Sequence, residues 1–288
     1  MILKSFFILA LVIGLTSLMR FSEIELPKPF KKQFKFIPSG LVKIDNDTLS
    51  VQSFYMLEHE VTNAEYHAFL NTIQDEKIKS ASQVMEQNWK TEFKLPLGGY
   101  SEHYFNHLAY AHYPVVNVTY EGATEYCRWL EKTINSAMEG KQVVKVRLPY
   151  HAELIRAALG ENLNANYSWQ GDYLRNSEGE FLCNFARIPQ ERLTKDEAGN
   201  LLVISENQST FTEQKSSDVL APSKSYYPSE YGVYNLNGNA AEMTNIKGVS
   251  IGGSWRSYGY DVRIQSQKNF EESSATVGFR PVFTVIKK

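Results

Sequence analysis

Hydrophobic positions along this chain fall into short alternating or helical runs separated by long stretches with neither period. Phe36-Ile37 and Leu41-Val42-Lys43-Ile44 alternate, Asp45-Asn46-Asp47 supplies a turn, and Leu49 to Met56 alternates again, which predicts a hairpin. Thr62 and Glu65 form a capping-box pattern ahead of Tyr66, Phe69, Leu70 and Ile73, so a first helix is predicted from Asn63 to Gln74. Thr119 caps a second helix, whose face carries Ala123, Tyr126, Cys127 and Leu130 and which runs to Ala137. Val143 to Leu148 reads as a strand, and His151 to Leu159 as a third helix ended by Gly160. Val249–Ile251, Val262–Ile264 and Phe279–Val285 are further short strands, whereas 75–113 and 162–228 read as loop. Short mixed strands, three helices and long loops predict an α+β domain with little regular secondary structure.

A chain of 288 residues with 43% apolar content can bury one sizeable core, and no linker divides it after residue 35. The domain is therefore expected over 36–288. Ahead of it, Lys4 precedes an apolar run from Phe6 to Leu15, shorter than the roughly 20 residues of a membrane span. Residues 1–20 thus read as a signal peptide or signal anchor, with membrane attachment through residues 5–19 as one outcome, and 21–35 as a tether. Either reading places the domain outside the cytoplasm, in the periplasm, the cell envelope or the medium. A formal net charge of -2 with interspersed signs excludes a basic stripe for nucleic acid. Two cysteines, Cys127 and Cys183, could pair in an exported compartment. Cys127 lies in a helical pattern, where a free thiol also serves as a small buried hydrophobe.

The oxygen-rich run Asn235-Leu236-Asn237-Gly238-Asn239-Ala240-Ala241-Glu242 favours tight turns over helix or strand. Such a turn offers carboxylate, amide and carbonyl oxygens, the ligands a hard cation such as calcium takes about six to eight at a time. A plain turn between strands is the competing reading. His103, His107 and His112 share spacing that would suit a metal, but Pro114 follows closely and no acidic residue stands at fixed spacing, so no metal centre is expected there.

Asn-x-x-Gly-Asn-Ala-x-Glu from Asn235 to Glu242, then Gly252-Gly253-Ser254-Trp255 and Gly278-Phe279-Arg280, resembles the C-terminal signature of the formylglycine-generating enzyme (sulfatase-modifying factor) family. Further landmarks follow the family order: Glu60 to Tyr66, Tyr113 to Val118, Ala123 to Trp129, Arg147-Leu148-Pro149 with Glu153, and Tyr167 to Gly171. The resemblance spans about residues 36 to 284 and implies a variant of the C-type-lectin-like fold. It implies calcium at Asn235, Gly238, Ala240 and Glu242, and a second calcium at Asn184, Phe185 and, as a substitute carboxylate, Asp218. The family enzymes oxidise a cysteine to formylglycine with oxygen and a copper(I) ion held by two cysteines after Gly-Gly-Ser-(Trp/Tyr). Ser257 and Val262 occupy those positions here, and no cysteine follows Cys183. Thiolates are the soft ligands that select copper(I), so copper is not expected and no catalytic residue is assigned. Pro281 stands where the family disulfide partner of Cys127 would be, Ala241 and Met243 replace aromatic residues near the enzymes' groove, and Tyr150 replaces the usual Thr or Ser cap. In character the chain resembles the gliding-motility and type IX secretion lipoprotein branch. The resulting expectation is a non-catalytic, calcium-braced pseudoenzyme that binds a protein partner or acts as a scaffold in the cell envelope. The alternative is a metal-dependent oxidoreductase with an altered active site in the same groove.

Overall fold

The computed structural model describes residues 26–92, 100–140, 142–186, 191–195, 201–205 and 219–286. The apolar N-terminal run, and Asp218 among the predicted calcium ligands, lie outside them. Among the described residues no helix is long and apolar enough to cross a membrane.

The stretch expected as a tether includes residues that pack into the domain. Leu26 is buried in the main core, and Pro27 starts helix α1 (Lys28–Gln33). Strand β1 (Phe34–Ile37) follows, and here the expected single hairpin divides. Only β2 (Gly40–Ile44) and β3 (Asp47–Val51) pair with each other, across a turn in which Asp45 has φ 53°. β1 instead pairs antiparallel with β4 (Phe54–Leu57). Ile37, Phe54 and Met56 are all almost fully buried, so the alternation in these flanks answers to a second, larger sheet. That sheet has the order β1-β4-β12-β5, where β5 is Val143–Arg147 and β12 is Val282–Ile286.

Helix α2 (Asn63–Leu70) carries the predicted capping box: Thr62 N–H donates to Glu65 Oε2 (2.9 Å), and Glu65 N–H donates to Thr62 Oγ1 (3.2 Å). It ends at Leu70, short of Gln74, because the Thr72 hydroxyl and amide both turn back to the Phe69 carbonyl. The stretch read as loop contains α3 (Glu76–Ala81), α4 (Asn88–Glu92), α5 (Tyr100–His103) and a 3-10 turn at Leu108–Tyr110, pieces too short to show a period. Helix α6 (Tyr120–Ala137) starts from Thr119, whose Oγ1 accepts Gly122 N–H at 3.0 Å. It lies along the outer edge of β5. Asn135 exchanges hydrogen bonds with the Val144 N–H and carbonyl, and Glu131 accepts Val146 N–H, so side chains occupy the place of a neighbouring strand. Helix α7 (His151–Leu159) lacks a Thr or Ser cap, yet its entrance is held. The Glu153 carboxylate accepts Tyr150 N–H at 2.8 Å and takes both arms of Arg147 at 2.7 Å.

Among its described residues the long 162–228 segment, expected as loop, contains the hairpin of β6 (Glu191–Lys195) and β7 (Leu201–Ser205). A second four-stranded sheet joins β10 (Gln267–Asn269), β9 (Val249–Ile251), β8 (Ala241–Met243) and β11 (Val277–Gly278), in that order, with β8 and β11 parallel. Val262–Ile264, expected as a strand, is a turn. Val262 and Ile264 are buried as core filling, which explains why an apolar pair flanked a polar residue without a pleat.

The largest core packs aromatic side chains from four elements. Tyr66 stacks on Tyr126 with ring centres 5.9 Å apart, meets Phe279 edge-on, and donates its hydroxyl proton to the Ser82 carbonyl at 2.9 Å. Cys127 lies in this cluster, and Cys183 in a separate one with Tyr167 and Val262. Both are free buried thiols, so the candidate Cys127–Cys183 pairing is corrected: packing, and not a cross-link, is their role.

Candidate functional site

Asn235, Gly238 and Asn239 all adopt left-handed backbone conformations, with φ 53°, 74° and 62°. Asn and Gly bear that geometry at the least cost, which is why this sequence makes a compact knot of turns here. Gly238 is required for a second reason: a Cβ built on it would lie 2.2 Å from the Asn184 carbonyl oxygen. The two segments expected to hold separate cations therefore meet backbone to backbone, and Asn239 N–H donates to that same Asn184 oxygen at 2.8 Å.

The centre of the knot is Glu60, a residue quoted in the sequence motif but given no role by it. Its fully buried carboxylate accepts from Asn235 Nδ2 (2.9 Å), Asn239 Nδ2 (3.0 and 3.2 Å) and the Ala240 amide (3.2 Å). Asn239 is satisfied on its other side as well, its Oδ1 accepting from Ala221 N–H and Asn184 Nδ2. Burial pushes the Glu60 carboxyl up to about 8, against the opposing pull of the Arg280 charge and the Asn235 amide. No local pattern reveals this hub, because Asn235 and Asn239 stand 175 and 179 residues away in sequence.

Glu242 has a different use from the one expected. Both its oxygens are taken by Arg280, through Nε at 3.1 and 3.0 Å and Nη2 at 2.7 Å, and neither side chain is exposed by more than 3%. Arg280 also holds the Leu57 and Tyr234 carbonyls, tying β4 to the Asn-rich loop. The carboxylate predicted to be the charged ligand of the first calcium is thus already neutralised, and the set Asn235, Gly238, Ala240, Glu242 does not fit as a four-ligand group centred on Glu242. Part of it does fit a cation. The side-chain oxygens of Asn235 and Asn184, the leading residues of the two expected sites, are both buried without a hydrogen-bond donor. The Asn235 amide orientation is fixed by three acceptors around its nitrogen, namely Glu60 and the carbonyls of Pro222 and Ser223. An orphaned, oriented amide oxygen is what a hard cation replaces water with. Phe185 adjoins Asn184 and is half-buried.

The positions at which the family resemblance expects copper-binding cysteines are filled by side chains with other attachments. Ser257 Oγ accepts Ser254 N–H at 3.0 Å, and Val262 is fully buried against Tyr167 and Cys183. Burial raises both thiols, Cys127 and Cys183, well above the ordinary range, which keeps them protonated and poor ligands for a soft metal. His103, His107 and His112 are exposed, with the first two rings 6.3 Å apart, and among the described residues no group of three His, Cys, Asp or Glu side chains is placed to hold a metal.

A mixed helix-and-sheet domain with little regular secondary structure, knotted around Asn-rich turns and the Gly278-Phe279-Arg280 link between β11 and β12, defines the class. The chain belongs to the sulfatase-modifying factor family: residues 27–285 match the Sulfatase-modifying factor enzyme 1-like domain. It is similar to the formylglycine-generating enzyme of Bos taurus, 25% identical over 284 residues that cover 81% of this chain and 66% of that protein. The formylglycine-generating enzyme of Streptomyces coelicolor is 29% identical over 197 residues, covering 58% of this chain and 52% of that protein. The chain thus spans between half and two thirds of the length of these relatives. Among solved structures, CarF superposes with a TM-score of 0.53 at 16% identity over 86% of this chain and 97% of its own. PvdO from Pseudomonas aeruginosa superposes with a TM-score of 0.53 at 15% identity over 87% of this chain and 93% of its own. At such identities these likenesses establish the fold alone.

Proposed function

We infer that this chain is a non-catalytic member of its family, a domain that holds a protein partner in the cell envelope and is braced by buried calcium. The observation that carries the reading is the chemistry at residues 257 and 262. A hydroxyl bonded within its own turn and a packed isopropyl group offer copper(I) no soft ligand; of the two buried thiols, Cys127 lies in another cluster and Cys183 is a single thiol packed against Val262, one short of a pair. What the family resemblance retains is the architecture: the Asn-rich turns, the Gly-Phe-Arg segment and two amide oxygens awaiting a donor. Calcium at those oxygens would satisfy them and brace the contact between the Asn184 and Asn235 segments. Export to the envelope follows from the apolar N-terminal run.

The direct test offers the purified protein a cysteine-containing sulfatase peptide with copper(I) and oxygen, and follows the aldehyde product by mass spectrometry. No aldehyde is expected from the wild type. Aldehyde formation at enzyme-like rates would overturn the reading. Elemental analysis of the same sample checks the brace, with calcium near one or two per chain expected and stoichiometric copper or iron contradicting it.

A further inference from the structure

Between Glu25 and Asp45 the chain carries five lysines and no carboxylate, although the whole protein has a formal net charge of -2. Three of them, Lys28, Lys31 and Lys32, belong to α1, where spacings of three and four residues put them on one side of the helix. The other side is apolar: Phe30 packs against the main core, and Phe34, just beyond the helix, is buried in it. The next lysine, Lys35 of β1, is paired with Glu58, whose other oxygen is held by Lys224. Glu65, which reaches Gln33 of α1, is committed to the capping box of α2. Lys28, Lys31 and Lys32 are exposed, and no ion pair or side-chain hydrogen bond joins them to other described residues.

Like charges at these spacings repel one another, so an opposing anionic surface would relieve them. Their position says which kind of surface. Leu26 is buried beside α1 in the main core, so residues 1–25 join the domain at this face. Ten residues separate the apolar run Phe6 to Leu15 from Leu26, and they span about 35 Å at most. A run held in a bilayer therefore keeps α1 near the head groups, where lysines attract anionic lipid and the tether replaces a bimolecular encounter. We propose that the Lys28, Lys31 and Lys32 face of α1 docks on an anionic phospholipid bilayer and sets the orientation of the domain upon it. The proposal rests on the reading of residues 1–20 as a membrane-attached export segment, and adds to it the surface of the domain that meets the lipid.

The test offers the full chain a mixture of neutral phosphatidylcholine vesicles and vesicles that also contain phosphatidylglycerol, separates the two by density, and compares the protein bound to each. Neutral vesicles report the apolar run alone, and the excess on anionic vesicles reports α1. One lysine near a charged surface contributes about fivefold, so three should give a preference on the order of a hundredfold that falls steeply with added salt. On anionic vesicles an amine-acylating reagent should modify Lys28, Lys31 and Lys32 several-fold more slowly than on neutral ones, with the exposed Lys77 and Lys79 of α3 unchanged. Combining Lys28→Gln, Lys31→Gln and Lys32→Gln should abolish the preference and keep the binding to neutral vesicles, whereas Lys77→Gln with Lys79→Gln should keep both. Binding to neutral vesicles without an anionic preference, or a preference that survives the triple substitution, leaves the anchor standing and overturns the docking face. Binding to neither kind of vesicle overturns both. Protection of the three lysines by soluble polyglutamate but not by anionic vesicles would assign the face to an acidic protein and overturn the proposal.

Discussion

Replacing Arg280 by Met isolates the buried ion pair that joins the C-terminal strand region to the Asn-rich turns. The substitution keeps most of the apolar stem but removes the charge, leaving Glu242 with 2% exposure and no countercharge. Breaking one partner of a buried pair costs about 3–5 kcal/mol, because the remaining charge has neither water nor a partner. The Leu57 and Tyr234 carbonyls lose their donors as well, at about 1–3 kcal/mol each. A domain's total stability is typically about 5–15 kcal/mol, so Arg280→Met alone approaches the limit of folding. Adding Glu242→Leu removes the stranded charge and leaves only the carbonyl penalty. The double variant should therefore be more stable than Arg280→Met by about 2–4 kcal/mol, although it carries one more substitution. Urea unfolding followed by tryptophan fluorescence measures all four corners of the cycle. A double variant no more stable than Arg280→Met would falsify the pairing, and stabilisation of Arg280→Met by added calcium would then show a divalent cation sharing Glu242.

Other consequences are equally direct. Gly238→Ala places a methyl group 2.2 Å from the Asn184 oxygen at φ 74°, so it should lower the urea midpoint by the equivalent of about 2 kcal/mol or more, with an unchanged midpoint contradicting the close approach. Burial lowers the His59 pKa below its ordinary 6.5, despite the opposing pull of Glu65. The unfolded chain then binds that proton more readily, so this contribution to stability is complete above pH 6.5 and declines as pH falls through the folded value. His59→Gln should flatten that part of the stability–pH curve, and a slope identical to wild type would assign it elsewhere. A thiol reagent should find no reactive cysteine in the native protein and two in urea without reductant, whereas none in urea would mean a disulfide.

Where the structural signal was local, the sequence disclosed it. The Thr62–Glu65 box and the apolar face of α6 depend on spacings of three and four residues, and both elements form with the expected starts. The hairpin was half legible for a related reason. Alternation identifies strands but not partners, and the partners of β1 and β4 include β12, more than half a chain away. Val262 was misassigned because burial in a turn and burial in a pleat leave the same apolar residue in the text. Tyr150 offers no side-chain cap, yet the Glu153 carboxylate accepts Tyr150 N–H and is itself held by Arg147, which fixes the entrance of the helix. At the candidate site the sequence named Asn235, Gly238 and Asn184 but assigned Glu242 to a cation, because its partner Arg280 was quoted only as part of a motif. Glu60 was invisible as a hub since each of its contacts is long-range.

The placement of β12 bears on how the chain is made. It lies inside the principal sheet, between β4 and β5, although it is translated after both. Arg280, just ahead of it, closes a contact with Leu57 across 223 residues. While β4 and β5 emerge from the ribosome, the slot between them stays open, with exposed backbone on either side. Helix α6 covers the far edge of β5 and β1 pairs with the far edge of β4 during that interval, so the two facing edges wait for β12. The nascent domain is then a waiting intermediate with a sticky seam, and its yield in a cell should depend on chaperone supply and elongation speed as much as on final stability.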